Sequence, residues 1–283
     1  MENDHSIGIG FGSVSFILVH IAALSVFWIP YSWKLVLLCL GLYWLRMFAI
    51  TAGYHRYFAH RSFKTSRFFQ FVLAFLGASS MQKGPLWWAG HHRHHHRFSD
   101  QDEDLHSPRR DGFWWSHVGW ILSAKYDETP SNLIKDFVKY PELRWLNRWH
   151  LVPGIVLAAL LLIFGGWPAF VWGFLVSTVL TWHATFAINS LTHVFGRVRY
   201  RTTDTSRNSV ILALLTLGEG WHNNHHYYQT ATRQGFFWWE IDISYYVLKM
   251  LSIPHVVWGL REPPERVLMS NRVNQPNVEA VTA

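Results

Sequence analysis

The sequence predicts an all-α integral membrane protein, with four transmembrane helices, interfacial amphipathic helices and a cytosolic helical cap that holds a histidine-rich metal site. Three observations lead to this prediction. Half of the 283 residues are hydrophobic and 15% are charged, whereas a soluble domain usually has about 25% charged residues. Apolar runs recur at close to the ~20 residues needed to cross a bilayer. Many of the 18 histidines fall in short clusters within the polar segments that follow these runs.

The apolar runs predict two membrane hairpins. Residues 11–29 carry no formal charge, and residues 35–52 return across the membrane after an aromatic turn suited to an interface. Residues 151–164 and 169–188 form the second pair, joined by the uncharged turn Gly165-Gly166-Trp167-Pro168. An even number of crossings leaves both termini on one side. We expect that side to be the cytoplasm, because Lys and Arg are concentrated in the segments that lie there.

The polar segments predict a cap on a single membrane domain, residues 1–262. Residues 53–149 and 194–262 hold too much charge to lie in lipid. Residues 65–82 are expected to form an interfacial amphipathic helix, since a crossing there would separate the first two histidine clusters. Residues 263–283 are polar and are expected to be disordered. The net charge of +7 indicates that the basic segments face the cytoplasmic leaflet of the membrane. No nucleic-acid partner is expected.

The histidine spacing indicates metal ligands. On a helix, His92, His95 and His96 share a face, and the same spacing recurs in the triad His222, His225 and His226. A basic, solvated turn is the alternative for the first cluster, but the duplicated spacing favours metal. His55 and His60 are five residues apart, about 500° around an ideal helix, so they share a face only if the helix ends or bulges between them.

One further pair completes the set. Asn189 and His193 lie one helical turn apart. The two triads, the first pair and His193 supply nine imidazoles, which is too many for one ion and suits two ions with four or five ligands each. We expect Asp100 and Glu219 to accept hydrogen bonds from the far nitrogens of ligating imidazoles. A solvated acidic turn remains the alternative for the aspartates.

Imidazole suits iron, zinc and copper, so the ligands alone do not choose the metal. A dizinc hydrolase is one possibility, but the sequence offers no carboxylate pair placed as a bridge or base. A two-iron, oxygen-activating site fits better, because attack on an unactivated C–H bond needs a strong oxidant in a dry, apolar setting. The one cysteine, Cys39, excludes a disulfide framework within the chain.

The motifs resemble those of the stearoyl-CoA desaturase family of integral-membrane acyl desaturases. They read His55-x4-His60, His92-x2-His95-His96, Asn189-x3-His193 and Gly218-Glu219-Gly220-Trp221-His222-x2-His225-His226. The resemblance extends over residues 50–242 and includes Thr51-Ala52-Gly53, Phe98-Ser99-Asp100 and Ser116-His117-Val118-Gly119-Trp120. It implies a diiron centre with those nine histidines as ligands and with Asn189 holding a water on one iron. It also implies that His91 and His94 are not ligands.

The resemblance implies O2-dependent removal of two hydrogens from a saturated fatty acyl chain, typically giving a cis double bond at carbon 9. The two electrons come from an outside donor. No fused cytochrome b5 domain is expected, so the resemblance implies a separate ferredoxin-like, rubredoxin-like or cytochrome b5-like partner. Zinc could replace iron in purified protein, since the ligands do not exclude it.

The acyl carrier is expected to be CoA or a membrane lipid. Animal acyl-CoA members of the family have Arg-Asp before the second histidine cluster, where this chain has Gly90-His91, and their later basic pair corresponds to Ala124-Lys125. Lys125 is therefore the predicted substrate contact. The chain looks closer to bacterial and cyanobacterial members, in a bacterial inner membrane, although CoA stays slightly favoured as the carrier. A membrane acyl hydroxylase and a non-enzymatic histidine-rich metal binder or transporter are the remaining alternatives.

Overall fold

The computed structural model describes residues 11–274, and this part of the chain is mostly helical. The first hairpin consists of α1 (Phe11–Ala23), a 3-10 turn (Leu24–Trp28) and α2 (Trp33–Phe48). Helix α2 continues without a break as a π-helix (Ala49–Ala59). Both predicted segments, 11–29 and 35–52, are therefore helical, and the second extends beyond its expected end to Ala59.

The second hairpin is divided by a glycine. It consists of α8 (Val152–Phe170), a π-helix (Val171–Val176), α9 (Ser177–Ser190) and a 3-10 turn (Leu191–His193). Gly166 has φ 66°, a left-handed conformation that is strained for side chains with a Cβ. The chain reverses there, and Leu161 packs near Gly173 and Leu38. The limbs agree with the predicted segments 151–164 and 169–188.

Two described helical stretches, Trp33–Ala59 and Val152–His193, are long and apolar enough to cross a membrane. The second stretch has 42 residues, about twice the ~20 needed for one crossing, because it contains both limbs of the hairpin and the turn at Gly166. Its two limbs pack together in a buried cluster that contains Val171, Phe174 and Leu175, with Leu161 against it. Residues of α1 join the same cluster.

The first half of the cap begins with α3 (Arg67–Ala78), whose N-terminus is capped by the Ser66 side chain. At 12 residues, α3 is too short to span a bilayer. Leu73 on its buried face touches the π-helix at Gly53. The remaining elements are α4 (Pro85–Phe98), a π-turn (Trp115–Gly119), α5 (Trp120–Leu122), 3-10 turns (Ala124–Tyr126 and Ser131–Leu133), α6 (Lys135–Val138) and α7 (Pro141–Arg148).

The second half of the cap contains α10 (Val210–Leu215), α11 (His222–Tyr227), α12 (Ile243–Ser252) and α13 (Glu265–Met269). A short antiparallel pair joins the two halves. In it, β1 (Lys64–Thr65) is hydrogen-bonded to β2 (Val257–Trp258), with Thr65 opposite Val257.

The expected disorder of residues 263–283 is wrong for the part that the structure describes. Residues 263–274 include α13 and a bridge between Tyr200 and Arg272. The Tyr200 hydroxyl donates to the Leu268 carbonyl, and Val267 is buried. The polar composition concealed a short apolar turn that packs on the cap. Residues 275–283 lie outside the described range.

Candidate metal centre

A π-helix brings His55 and His60 to one face. In a π-helix the N–H of a residue bonds to the carbonyl five positions earlier, and the His60 N–H donates to the His55 carbonyl at 3.1 Å. The two ring centroids are 4.7 Å apart. The bulge that the spacing required is therefore present.

Each histidine triad is divided between two groups of side chains. On α4, His92 and His96 contribute to the first group and His95 to the second. On α11, His225 contributes to the first group and His222 to the second. Each helix with the three-then-one histidine spacing therefore contributes side chains to both groups rather than to one.

The first group has five imidazoles whose Nε2 atoms converge. His92 Nε2 lies 3.0 Å from His60 Nε2 and 2.9 Å from His96 Nε2. His225 Nε2 lies 2.9 Å from His96 Nε2 and 3.0 Å from His55 Nε2. One nitrogen from each residue lies within 4.8 Å of the others.

The second group has four buried imidazoles, from His95, His193, His222 and His226. His193 Nε2 lies 3.1 Å from His222 Nε2. The ring centroids of His95 and His226 are 5.4 Å apart. The two groups are in direct contact, because the His96 and His226 centroids are 4.4 Å apart.

Four carboxylates face the Nδ1 atoms of these imidazoles, two in each half of the cap. The pairs are Glu219 with His55, Asp104 with His95 at 2.8 Å, Asp100 with His193 at 3.5 Å and Asp204 with His226 at 2.7 Å. Such a partner fixes the tautomer and leaves a lone pair on Nε2.

Electrostatics keep these carboxylates charged. Burial alone would raise the pKa of the Asp104 carboxyl, but the neighbouring His95 holds it well below its usual range. Burial and His226 have the same opposing effects on the pKa of Asp204, which is also lowered. Each buried anion favours a cation beside the imidazole to which it is bonded.

The imidazoles are suited to hold that cation. Burial and neighbouring histidines hold the pKa of His96 and His222 well below 6.5, so both are neutral at pH 7. His222 Nδ1 and His226 Nε2 are buried and have no hydrogen-bond partner among the described residues. Lone pairs that meet at about 3 Å with no proton to share repel one another, and a metal ion between them removes the repulsion. The donor set therefore fits a metal ion in each group.

A buried arginine holds the π-helix to α11 and α12. Arg56 donates to Glu219 at 3.0 Å and to both oxygens of Asp242 at 2.9 and 3.0 Å. Gly218 allows this approach, since a Cβ there would lie 2.3 Å from Asp242 Oδ1 and 2.7 Å from the Arg56 guanidinium. The same ion pairs position the carboxylate that faces His55.

An apolar cavity of about 460 Å³ borders the first group. His92, Asn189 and His106 lie in its wall. Most of the wall is apolar or aromatic and comes from α1, α4, α5 and α9, including Phe16, Val19, Trp87, Trp88, Trp120, Ile121, Trp182 and Phe186. Lys83 and Asp127, which form a 2.7 Å ion pair, also line it. Such a cavity can hold a long apolar ligand with one end beside the histidines.

A second cavity of about 370 Å³ lies on the cap. Lys125 is in its wall together with Asp102, Glu103, Asp104 and Asp111. The wall segments of the two cavities adjoin, because Lys125 and Tyr126 line this one whereas Ala124 and Asp127 line the apolar one.

The structure brings the predicted residues together as follows. All nine predicted histidines belong to the two groups. Asn189 lies in the wall of the apolar cavity. His94 and His91 stand outside both groups and bond to the carbonyls of Glu103 and Trp87.

Sequence reasoning missed Asp204, Gln234 and Arg56. Gln234 Nε2 lies 3.3 Å from the Nδ1 atoms of both His55 and His225. Asp204 lies in a basic segment, and it is 22 positions from His226, so no helical spacing predicts their contact. The residue types alone gave little indication of these roles, although Asp204 is an acidic residue within a basic segment.

The fold and the site define a helical protein in which two adjacent histidine groups lie together and the first of them borders an apolar cavity. Comparison with known sequences gives the family: the chain belongs to the fatty acid desaturases, whose family model matches residues 31–251. It is therefore an oxidoreductase of that family.

Named relatives cover most of the chain. The sn-1 stearoyl-lipid 9-desaturase of Anabaena variabilis is 41% identical over 243 residues, covering 84% of this chain and 88% of that protein. An acyl-CoA 5-desaturase of Anemone leveillei is 38% identical over 251 residues, covering 87% and 78%. The sn-1 stearoyl-lipid 9-desaturase of Synechocystis is 38% identical over 259 residues, covering 89% and 80%.

Proposed function

We propose that this desaturase inserts a cis double bond at carbon 9 of a saturated fatty acyl chain, with O2 as the oxidant and two electrons from a separate donor. The observation that carries the proposal is the meeting of nine imidazoles in two adjacent groups, with His92 of the first group in the wall of an apolar cavity. The relatives named as 9-desaturases support the position of the double bond. The family resemblance of the histidine motifs supports the use of O2.

The proposed metal is iron, one ion in each group. His55, His60, His92, His96 and His225 would hold the first, and His95, His193, His222 and His226 the second. Iron supplies the oxidising power that removal of hydrogen from an unactivated chain requires. Zinc also fits these ligands and could occupy the site in purified protein.

The remaining residues prepare the site. Glu219, Asp104 and Asp204 hold the Nδ1 protons, so that the Nε2 lone pairs face inward. Asp100 does the same for His193. Asn189 is proposed to hold a water next to one ion. The aromatic wall of the cavity excludes bulk water and aligns the acyl chain.

We propose a membrane lipid as the acyl carrier. CoA carries several phosphate charges and would need a cationic pocket. Among the described residues, the cavity on the cap instead has Lys125 as its one lysine or arginine, against Asp102, Glu103, Asp104 and Asp111. Lys83, in the wall of the apolar cavity, is already neutralised by Asp127. An uncharged headgroup rich in hydroxyls suits this wall, since carboxylates accept hydrogen bonds from hydroxyls.

The proposed topology has four membrane helices and one domain, residues 1–262, with the cap and both termini in the cytoplasm. The two hairpins support it, as do the exposed aromatic residues Tyr31, Trp33 and Trp167 at the turns far from the cap. Exposed cations of the cap, among them Arg97 and Arg109, suit a small acidic electron carrier of the ferredoxin, rubredoxin or cytochrome b5 type.

The test is expression in a bacterium of defined lipid composition, with iron and a working reductase supplied. Gas chromatography of fatty acid methyl esters should show a new monounsaturated species with a cis bond at carbon 9. The His226→Ala variant is the matched control and should produce none. A hydroxylated acyl chain instead of an alkene would indicate a hydroxylase, and an unchanged lipid profile would overturn the proposal.

A further inference from the structure

Three side chains in the wall of the apolar cavity, those of Trp120, His106 and His150, have a buried nitrogen without a hydrogen-bond partner among the described residues. The rings of Trp120 and His106 are 4.8 Å apart. Trp120 and His106 line the cavity and are 6% and 4% exposed. Trp120 Nε1 and His106 Nδ1 are buried, and neither has a hydrogen-bond partner among the described residues. Buried polar groups are nearly always bonded. A ligand in the cavity that both side chains line would supply the missing partner.

The other tryptophans of this region show the contrast. Trp87 Nε1 donates to the Tyr126 carbonyl at 2.6 Å, and Trp115 Nε1 donates to the Leu105 carbonyl at 3.2 Å. The fold can therefore satisfy buried indoles here. The Trp120 N–H, at the wall of the cavity, has no acceptor within the described part of the chain.

The position of these groups along the cavity suggests their ligand. The His106 ring stacks on His95, a proposed iron ligand, with centroids 4.2 Å apart. Trp120 is one step further from the histidine groups, 4.8 Å from His106, and Trp87 follows at 5.9 Å. Lys83 Nζ lies 5.6 Å from the centroid of the Trp87 ring and pairs with Asp127. The ring contacts thus lead from His95 through His106, Trp120 and Trp87 to the Lys83–Asp127 pair.

We propose that Trp120 Nε1–H and His106 Nδ1–H donate hydrogen bonds to the carbonyl oxygen that joins the acyl chain to its carrier. The inference rests on the proposed function, which puts carbon 9 beside the histidines. Eight bonds of an extended chain separate carbon 9 from that carbonyl carbon, about 10 Å for C–C bonds of ~1.5 Å. The path between ring centroids from His95 to His106, 4.2 Å, and on to Trp120, 4.8 Å, is of similar length. A carbonyl has two lone pairs, enough for both donors.

This arrangement determines where the double bond forms. An apolar wall alone would let the chain slide by one or two carbons, since hydrophobic contact is not directional. A carbonyl held by two donors fixes one end of the chain. The position of oxidation is then counted from the carbonyl, and Trp120 and His106 determine regioselectivity.

The experiment compares two probes that differ only in the carbonyl: 1-stearoylglycerol and its ether analogue 1-O-octadecylglycerol. Dissociation constants are measured on the full chain in phosphatidylcholine nanodiscs, by competition with tritiated 1-stearoylglycerol. The wild-type protein should bind the ester about tenfold more tightly, equivalent to about 1.4 kcal/mol. The ratio should fall towards one in Trp120→Phe and in His106→Leu, and His106→Gln, which retains an N–H, should restore part of it.

Trp115→Phe is the matched control, because it removes an indole N–H that already has an acceptor. It should retain the tenfold ratio even if it weakens the fold. A wild-type ratio near one, or a ratio unchanged by both Trp120→Phe and His106→Leu, overturns the inference and leaves water as the partner. The measurement needs no turnover, so a protein that binds selectively but does not desaturate would refute the proposed function alone.

Discussion

At the scale of single residues, the site depends on which nitrogen of each imidazole faces inward. In four histidines a carboxylate bonds to Nδ1, so Nε2 points into the cage. All four of these carboxylates are buried, and Glu219 has the Arg56 guanidinium beside it. For the other three, a positive charge on the far side of the ring would offset the cost of burial.

Removal of one proposed ligand should abolish activity. His95→Ala and His226→Ala each delete an imidazole from the second group, and we expect less than 1% of wild-type turnover with loss of one bound iron. His94→Ala should keep most of its activity, because His94 bonds to a loop carbonyl outside both groups. Iron content and methyl ester profiles measure both effects. An inactive but folded His94→Ala protein would contradict the ligand assignment.

Removal of a carboxylate partner should weaken metal binding without deleting a ligand. Asp204→Asn replaces the anion beside His226 Nδ1, and we expect a 10–100-fold lower metal affinity, as for similar partners elsewhere. Titration of the metal-free protein with ferrous iron measures the change. Asp102→Asn, at a highly exposed carboxylate paired with Arg110, is the control and should bind iron normally. Equal affinity in the two variants would argue against a role for Asp204.

At the scale of elements, ion pairs of Arg56 hold the π-helix against the segment that contains α11. The guanidinium is 1% exposed and bonds to the carboxylates of Glu219 and Asp242, which precede and follow α11 in the sequence. The π-helical winding aligns His55 with His60, and the arginine holds that winding against α11 and α12. Local geometry and long-range ion pairing are therefore coupled at this element.

Arg56→Met should be strongly destabilising. It leaves two buried carboxylates, Glu219 and Asp242, without their cation, and removal of one partner from a buried ion pair typically costs about 3–5 kcal/mol. Denaturant unfolding in detergent measures the loss. Arg67→Met breaks an exposed pair with Glu142, and its unfolding midpoint should stay close to wild type. A similar small change in Arg56→Met would mean that the buried network does not support the fold.

At the scale of the whole molecule, two apolar hairpins carry a cap assembled from both halves of the chain. The β1–β2 pair and the Arg56 ion pairs join segments almost 200 residues apart. The histidine groups lie where the hairpins end and the cap begins, because His55 and His193 stand at the ends of the two longest apolar stretches.

The proposed topology can be tested by cysteine labelling. With Cys39 replaced by Ser, single cysteines are placed at Tyr31, Trp167 and Asp102, all exposed positions. An impermeant maleimide should label the first two from outside intact cells, and the third only after the membrane is permeabilised. Labelling of all three from the same side would contradict the four-helix arrangement.

Stability should fall at acid pH. Burial and the nearby Lys83 lower the pKa of His150 to about 4, whereas in the unfolded chain it is near 6.5. The unfolded state binds a proton first, so the free energy of unfolding should decrease from pH 6.5 to 4 and level off below. Unfolding midpoints across this range measure the slope, which should be shallower in His150→Asn. An equal slope in the variant would exclude His150 as the cause.

The sequence by itself determined the apolar hairpins, the polar cap between them and the histidines that meet. Hydrophobic runs and a three-then-one spacing are local patterns, because they follow from the helical repeat and the thickness of a bilayer. The same reasoning predicted that His55 and His60 need a bulge, and the π-helix supplies it.

Only the tertiary structure decided how the histidines are grouped and which distant residues contact them. It divided each triad between the two histidine groups. It also paired Asp204 with His226 and Arg56 with Asp242, and it folded residues 263–274 onto the cap. It also left the Trp120 N–H facing a cavity without a partner among the described residues. These contacts join distant positions through burial and charge, and no local spacing records which distant residue will complete them.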